Sequence, residues 1–176
     1  MFSDPKKNIE QFALLPGMRV ADLGSGSGFY CLAAARAVTD SGRVYGIDLQ
    51  KDLLTRLKNN AQKEGILNIE VIWGDVEVVG GTKLGDHLLD AVIISNLLFQ
   101  VKNKAEVVKE AKRILKPQGR VLMVDWSESF GGLGPRPEDV VTADAVKKLF
   151  ADEGFGFDKE INAGAHHYGL VFKRKK

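Results

Sequence analysis

A set of closely spaced glycines after a short apolar stretch constrains the fold of this chain more than any other feature. Residues 20–23 (V-A-D-L) form the stretch, and Gly24, Gly26 and Gly28 follow at alternate positions. Such a run is typical of a strand buried on both faces of a parallel sheet. Residues 29–37 are rich in helix formers and contain no Gly or Pro. The sequence therefore predicts a strand, a glycine loop and a helix in succession.

A glycine loop that opens a helix presents free N–H groups and the positive end of the helix dipole to an anion. A second apolar strand, residues 43–47, ends at Asp48, which lies 24 positions after Gly24. This offset is close to the ~20 residues at which an acidic side chain binds ribose hydroxyls in βαβ nucleotide sites. We therefore predict nucleotide binding here, and a plain tight turn with a strand-end carboxylate is the alternative.

The rest of the chain alternates helical and strand-like patterns. Helical spacing covers residues 5–15, 51–64, 102–115 and 142–152, and strand-like runs cover residues 69–73, 89–95 and 120–126. Two further runs within residues 155–173 are separated only by residues 162–166. A parallel crossover needs a dozen or more residues, so this pair is predicted to form a hairpin. The sum is an α/β fold with a Rossmann-like, doubly wound sheet of mostly parallel strands and a final antiparallel strand.

The whole chain, residues 1–176, is expected to be a single domain, with the amino-terminal helix within residues 1–15 as a possible cap. Residues 76–87 contain three glycines and are predicted to form a loop with at most one helical turn. Residues 127–141 are rich in Gly and Pro and too long for a minimal connection. Loops of this length often close over binding sites, so this segment is the lid candidate.

Composition excludes several function classes. Lys plus Arg number 25 and Asp plus Glu number 23, a net charge of +2 that gives no argument for nucleic acid as a partner. Cys31 is the single cysteine, so no disulfide can form within the chain. No apolar run approaches the ~18 to 20 residues that span a bilayer. These features predict a soluble, cytoplasmic protein without a membrane span.

Five motifs together resemble one known family. They are V-A-D-L-G-S-G-S-G at residues 20–28, I-D at 47–48, G-D at 74–75, L-D-A-V-I-I-S-N at 89–96 and L-K-P-Q-G-R at 115–120. From about residue 16 to residue 172 the chain resembles class I S-adenosylmethionine-dependent methyltransferases, in particular the small domains of the ubiquinone/menaquinone-biosynthesis type. The resemblance implies a seven-stranded sheet, S-adenosyl-L-methionine as the cofactor and S-adenosyl-L-homocysteine as the product. Gln118 stands where the family usually has glycine, so a different turn is expected there.

The resemblance also implies a cofactor site built from the glycine loop and the ends of the following strands. The residues so implied are Asp22, Gly24, Ser25, Gly26, Gly28, Asp48, Leu49, Asp75, Val76 and Asn96. The loop would lie under the methionine and ribose parts of the cofactor. Asp22 would face the methionine amino group, and Asp48 would bind both ribose hydroxyls.

The adenine end and the methyl end are assigned in the same way. Asp75 would accept a hydrogen bond from the adenine amino group, with Leu49 and Val76 beside the ring. Asn96 would lie near the methionine end and the methyl group. Together these positions imply a cofactor that lies across the carboxyl ends of several strands.

Simple electrostatics favours this cofactor over a dinucleotide. Asp22 stands two positions before the first glycine, where a carboxylate attracts an ammonium group and repels a pyrophosphate. An NAD(P)-dependent oxidoreductase would also have a second nucleotide-binding half and a substrate domain, for which this chain has little room. A catalytically silent, cofactor-binding partner subunit is the other alternative, and only activity distinguishes it.

Candidates for the chemistry collect at the carboxyl ends of the strands. Methyl transfer from a sulfonium is an in-line displacement that needs the nucleophile about 3 to 3.5 Å from the methyl group. A base matters only for an acceptor that is protonated at neutral pH. The candidate catalytic residues are His167 as a base, Asp125 as a base or an orienting group, and Tyr30.

The acceptor itself is not identified by the sequence, although a small molecule is expected. No metal site is predicted, because His87 falls in a different loop from His166 and His167 and no acidic residue or cysteine lies at ligand spacing beside the pair. The single Cys31 also argues against a metalloid acceptor held by several thiols.

Overall fold

The computed structural model of the chain describes residues 2–176. Its strands are β1 Arg19–Leu23, β2 Arg43–Asp48, β3 Ile69–Trp73, β4 Leu89–Ser95, β5 Leu115–Trp126, β6 Phe155–Ile161 and β7 His167–Arg174. Its α-helices are α1 Pro5–Phe12, α2 Phe29–Val38, α3 Lys51–Lys63, α4 Lys104–Ile114 and α5 Ala143–Asp152, with a short 3₁₀ turn at Pro137–Asp139. No helix among residues 2–176 is long and apolar enough to cross a bilayer.

All seven strands form one sheet in the order β3-β2-β1-β4-β5-β7-β6. The first five strands are parallel, and β7 runs antiparallel to both of its neighbours, β5 and β6. This arrangement confirms the doubly wound sheet and the final antiparallel strand. The strand order reverses between β1 and β4, and ligands of open α/β sheets bind at such a switch point, outside the carboxyl ends of the strands.

Two apolar cores cover the two faces of the sheet, as the alternation of side chains along a strand requires. In β4, Val92 and Ile94 belong to the core beneath α4 and α5. Ala91 and Ile93 belong to the opposite core, which contains apolar residues of α1, α2 and α3. The strands are thus covered on both faces, which leaves the ends of the strands as the accessible part of the sheet.

Two element boundaries differ from the sequence prediction by three residues or more. Helix α1 ends at Phe12, short of residue 15, because Ala13 adopts a left-handed conformation with φ 57° and its N–H donates to the Ile9 carbonyl. Strand β5 begins at Leu115 and not at residue 120, because Leu115 pairs with Leu89 before a bulge in the register. A local left-handed residue thus ends α1, whereas tertiary pairing, which local propensity does not contain, decides where β5 begins.

Gln118 lies in this irregular start of β5 with φ 66°. The expectation of a different turn is therefore not needed, since Gln118 itself takes the left-handed conformation that glycine adopts with little strain. Residues 76–87 form the predicted loop, without a helical turn. This loop is held by buried Glu110 of α4, which accepts hydrogen bonds from the N–H groups of Gly80 and Thr82.

Candidate functional site

The glycine loop is fastened to the end of β2. The N–H groups of Gly24 and Ser25 both donate to the carbonyl of Ile47, each over 2.9 Å. Gly28 caps the amino terminus of α2 with φ 93°, and a Cβ at this position would collide with the side chain of Leu57. Gly26 has open space where a Cβ would be, so a ligand can approach the loop backbone at that point.

Asp48 joins the loop to the same strand end through its side chain. Its Oδ2 accepts from the N–H of Gly26 over 2.9 Å, and its Oδ1 accepts from the N–H of Gln50 over 2.8 Å. Each carboxylate oxygen has a second lone pair, so the carboxylate can accept further hydrogen bonds. The sequence prediction placed Asp48 beside the loop, and the structure brings the two together.

Two adjoining cavities lie over the loop. The narrow cavity, about 230 Å³, is lined by Asp48, Leu49, Asp75 and Val76 among others. These are the four positions for which the resemblance implies contact with ribose and adenine. The structure therefore brings the predicted nucleotide residues into one cavity, although they come from the ends of two different strands.

The wide cavity, about 500 Å³, lies on the side of the loop that faces the amino-terminal segment. Its lining includes Ser25 of the loop and Tyr30 of α2. Asn96, which follows β4 with φ 50°, and Gln100 line both cavities together with Gly24 and Gly26. The two cavities therefore meet at the glycine loop and at Asn96.

Three buried polar atoms have no hydrogen-bond partner within the described residues; two belong to residues that line the wide cavity, and the third belongs to Asp22 in β1, which lines neither cavity. They are Asp22 Oδ1, Ser25 Oγ and Asn96 Oδ1, and only Asn8 Oδ1 in α1 shares this property. An unsatisfied buried polar group costs about 1 to 3 kcal/mol, so such groups mark places where a polar ligand binds favourably. Two of the atoms are carboxylate or amide oxygens, which accept, and the third is a hydroxyl, which can donate, so together they suit a ligand that carries both donors and acceptors.

Asp22 is the most deeply buried of these side chains, with 1% of its surface exposed. Cys31 Sγ donates to its Oδ2 over 3.3 Å. Burial raises the pKa of Asp22 to about 7, the negative charge of Asp48 acts in the same direction, and the hydrogen bond from Cys31 opposes both. A positively charged ligand group beside Oδ1 would favour the ionised carboxylate.

Tyr30 is the only one of the three catalytic candidates that lines either cavity. Its hydroxyl accepts from Asn8 Nδ2 over 2.7 Å and lies 3.2 Å from Ser3 Oγ. Burial raises the pKa of Tyr30 above its ordinary value. The phenol is therefore protonated at neutral pH and serves as a hydrogen-bonding group and not as a base.

Asp125 and His167 lie at the predicted edge of the sheet but outside the lining of both cavities. Asp125 accepts from the N–H groups of Leu98 and Trp126 over 3.1 and 2.9 Å, so its carboxylate is engaged by backbone. His167 Nδ1 lies 3.1 Å from the carbonyl of Ala165, and burial lowers the pKa of its ring. The structure does not bring these two residues to the site.

The lid candidate, residues 127–141, packs against the loop between β6 and β7. Phe130 stacks on His166 with ring centroids 3.8 Å apart, and Glu128 lies 2.7 Å from His166 Nδ1. None of its residues lines the two cavities. The amino-terminal segment does line the wide cavity, through Ser3 and Pro5.

Sequence reasoning missed several residues of the lining, of which Gln100 is the most central. Gln100 lines both cavities, and its Nε2 donates to the carbonyl of Asn96 over 2.7 Å. Its position four residues after Asn96, in the loop that follows β4, was an available signal. Among residues 2–176 no cluster of three His, Cys, Asp or Glu side chains has a geometry that would hold a metal ion.

Comparison with known proteins agrees with this geometry. A family model described as a methyltransferase domain matches residues 14–160. An arsenite methyltransferase of Halobacterium salinarum is 32% identical over 157 residues, which cover 81% of this chain and 38% of the relative. A ubiquinone/menaquinone biosynthesis C-methyltransferase of Vibrio campbellii is 31% identical over 114 residues, which cover 64% of this chain and 43% of the relative. This chain thus spans less than half the length of both relatives.

Solved structures give the same result. The crystal structure of a SAM-dependent methyltransferase from Aquifex aeolicus superposes with a TM-score of 0.88 and 27% identity, covering 98% of this chain and 90% of that one. The sheet order, the glycine loop and the match over residues 14–160 therefore lead to one conclusion. The chain belongs to the S-adenosylmethionine-dependent methyltransferase family.

Proposed function

We propose that the narrow cavity binds the adenosine part of S-adenosylmethionine and that the wide cavity binds its methionine part together with the methyl acceptor. The three unpartnered atoms Asp22 Oδ1, Ser25 Oγ and Asn96 Oδ1 carry this proposal. The cofactor has an ammonium group and ribose hydroxyls, which can donate hydrogen bonds, and a carboxylate, which can accept them. A dinucleotide would instead place the negative charge of its pyrophosphate beside Asp22. S-adenosylmethionine therefore suits these residues better than a dinucleotide does.

In this proposal each residue contacts the cofactor through atoms that its hydrogen bonds within the protein leave available. Asp22 Oδ1 accepts from the ammonium group, and Asp48 accepts from both ribose hydroxyls while it keeps its bonds to the backbone. Asp75 uses one oxygen for the N–H of Glu77, over 2.9 Å, and offers the other to the adenine amino group. Leu49 and Val76 flank the adenine ring in the narrow cavity.

S-adenosylmethionine, when bound, supplies an electrophilic methyl group on a sulfonium. The chain has to hold a nucleophile in line with that group and to exclude water from it. The side chains that line the wide cavity include hydroxyls of Ser3, Ser95 and Tyr30 and the amides of Asn96 and Gln100. No side chain of this lining titrates near neutral pH. We infer catalysis by positioning, with an acceptor atom whose lone pair is already free at neutral pH.

For the acceptor we propose a small organic molecule. The Halobacterium relative is named for arsenite and the Vibrio relative for quinones, so both classes are candidates for this chain. A metalloid held by the protein would need thiols, and Cys31, the single cysteine, is fully buried outside the wide cavity. Phe29 and Tyr30 line the cavity with aromatic rings, which suits a ring-bearing acceptor.

Calorimetry with S-adenosylmethionine, S-adenosylhomocysteine and NADH tests the cofactor. We expect the two sulfur ligands to bind, Asp48→Ala to lose that binding, and Asp52→Ala, an exposed carboxylate at the start of α3, to retain it. Binding of NADH alone would overturn the proposal. Transfer of a labelled methyl group to a panel of phenols, quinols, amines and arsenite then tests the activity. A chain that binds the cofactor but methylates none of them would be the silent subunit.

We also propose a cytoplasmic location. The single Cys31 is a free, buried thiol among the described residues. A reducing compartment suits a chain of this kind, because no disulfide contributes to its stability. Fluorescent tagging in the source cells, with cell fractionation as a second measurement, tests this location.

A further inference from the structure

The buried thiol of Cys31 lies where β1, β2 and α2 meet. Its Sγ is 3.3 Å from Asp22 Oδ2, and the two side chains are 0% and 1% exposed. Asp22 is directly opposite Gly46 in the pairing of β1 with β2. A Cβ on Gly46 would lie 3.0 Å from Cys31 Sγ and 3.3 Å from Ser25 Oγ. Leu57 Cδ2 would be nearer still, at 2.6 Å, so the absence of a side chain at Gly46 leaves room for Leu57 as well as for the thiol and the Ser25 hydroxyl.

The contact divides the Asp22 carboxylate into two unlike oxygens. Oδ2 is engaged by the thiol, whereas Oδ1 is buried and has no partner among the described residues. A thiol is a weak donor, so it holds the orientation of a carboxylate without neutralising its charge. Rotation about the terminal torsion of an aspartate is otherwise soft. The thiol thus favours the rotamer that keeps Oδ1 free.

We propose that Cys31 is a positioning residue for the cofactor, whose thiol donates to Asp22 Oδ2 and so keeps Oδ1 directed toward the ammonium group of S-adenosylmethionine. This inference rests on the proposed function, because it requires Asp22 to bind that group. It assigns Cys31 no nucleophilic or redox step. The expected contribution is that of one weak hydrogen bond to a charged group, or about a three- to ten-fold change in affinity.

The inference makes a specific prediction for pH. Three groups act on the charge of Asp22: the thiol and the backbone N–H of Cys31 from α2 and the carboxylate of Asp48 from β2. The phenol of Tyr30 faces the same carboxylate, whose negative charge raises the pKa of Tyr30. Both donors to Asp22 belong to Cys31, and the thiol has the larger effect of the two, so removing the thiol favours the protonated carboxylate. The pH below which cofactor binding weakens should therefore move upward when the donor is lost.

Three variants distinguish the effect of the hydrogen-bond donor at residue 31 from the effect of its side-chain volume. Cys31→Ser keeps a donor, Cys31→Val keeps the volume without a donor, and Cys31→Ala removes both. Calorimetry from pH 5.5 to 8.5 should give Cys31→Ser an affinity for S-adenosylhomocysteine within about two-fold of that of the parent protein. Val and Ala should bind about three to ten times more weakly, with the pH midpoint moved upward. Equal midpoints in all four proteins, or a loss in Ser as large as in Val, would overturn the proposal.

Infrared spectroscopy of the parent protein gives a test that needs no variant of Cys31. Because the chain has a single cysteine, its S–H stretching band is unobscured by others. The band should move to lower frequency as Asp22 ionises, and Asp22→Asn should remove this pH dependence. A band that ignores both changes refutes the positioning role. If the parent protein bound no S-adenosylhomocysteine at all, the proposed function would fail instead, whatever the band did.

Discussion

Asp48 Oδ2 accepts a hydrogen bond from the backbone N–H of Gly26 over 2.9 Å, although the two residues belong to different βα units. The bond links the end of β2 to the loop after β1, at the point where the narrow and wide cavities meet. One carboxylate thus holds the loop and lines the proposed ribose site. Substitutions of Asp48 therefore test binding and loop structure together.

Asp48→Asn is expected to weaken binding of S-adenosylhomocysteine by at least about ten-fold, because the amide lacks the charge and one of the acceptors that two hydroxyls need. The loop should survive, since the remaining amide oxygen still accepts from Gly26. Calorimetry gives the affinity and thermal melting gives the stability. Asp52→Asn, an exposed neighbour in α3, serves as the matched control. Unchanged binding in Asp48→Asn would refute the ribose assignment.

Asp22 makes stability depend on pH in an unusual direction. Its folded pKa of about 7 lies above the ordinary value of 3.8, so the folded state holds the proton more tightly. The free energy of unfolding should therefore fall as the pH rises from about 4 to about 7, by roughly 2 to 4 kcal/mol. Asp22→Asn should lack this decrease, be more stable than the parent above pH 7 and fail to bind S-adenosylhomocysteine.

Urea denaturation of both proteins at pH 5 and pH 8 measures the difference. Asp125, whose pKa burial raises to about 6, adds a smaller decrease of the same sign, which both proteins retain. The comparison therefore isolates Asp22. Identical pH dependence in the two proteins would show that Asp22 is not the group that titrates.

Asn8 and Tyr30 should be energetically coupled. The amide donates to the phenol over 2.7 Å in a buried setting, across 22 positions of sequence. Tyr30→Phe leaves the amide with Ser3 alone and is expected to cost about 1 to 2 kcal/mol of stability. A double-mutant cycle with Asn8→Ala should give a coupling of about 1 kcal/mol, measured by urea denaturation. Additive effects, within error, would contradict the contact.

Glu110 should decide the acid stability of the loop at residues 76–87. Burial alone would raise its pKa, but hydrogen bonds from Arg113, Gly80 and Thr82 lower it to about 2. The stabilisation is therefore complete above pH 4.5 and is lost as the pH falls toward 2. Glu110→Gln is expected to destabilise the protein by about 2 to 3 kcal/mol at pH 7 and much less at pH 3. Glu106→Gln, a surface carboxylate of the same helix, is the control.

Gln118→Gly should stabilise the protein. Gln118 is exposed, with φ 66°, a conformation that costs a residue with a Cβ about 1 to 2 kcal/mol. Because glycine also loses more entropy on folding, the net gain is expected to be about 0.5 to 1 kcal/mol. Gln118→Ala keeps the Cβ and should gain nothing. Equal melting temperatures for all three proteins would show that the turn is not strained.

The pattern of apolar runs, glycines and helix formers was enough to predict the doubly wound sheet and the position of Asp48 beside the glycine loop. The reason is that both depend on local order along the chain. A buried parallel strand has to be apolar, and a loop that a ligand approaches needs glycine at positions such as Gly26. Asp48 and Asp75 follow their strands directly, so the fold class alone brings them to one edge.

Tertiary structure alone decided which edge residues reach the cavities. The sequence predicts both His167 and Asp125 at the carboxyl ends of the strands. In the structure, however, the His167 ring contacts the carbonyl of Ala165, and the Asp125 carboxylate accepts from backbone N–H groups. Tyr30 and Gln100 line the wide cavity because α2 and the loop after β4 pack there. The sequence determined the edge at which ligands bind, whereas packing between distant segments determined the side chains that face them.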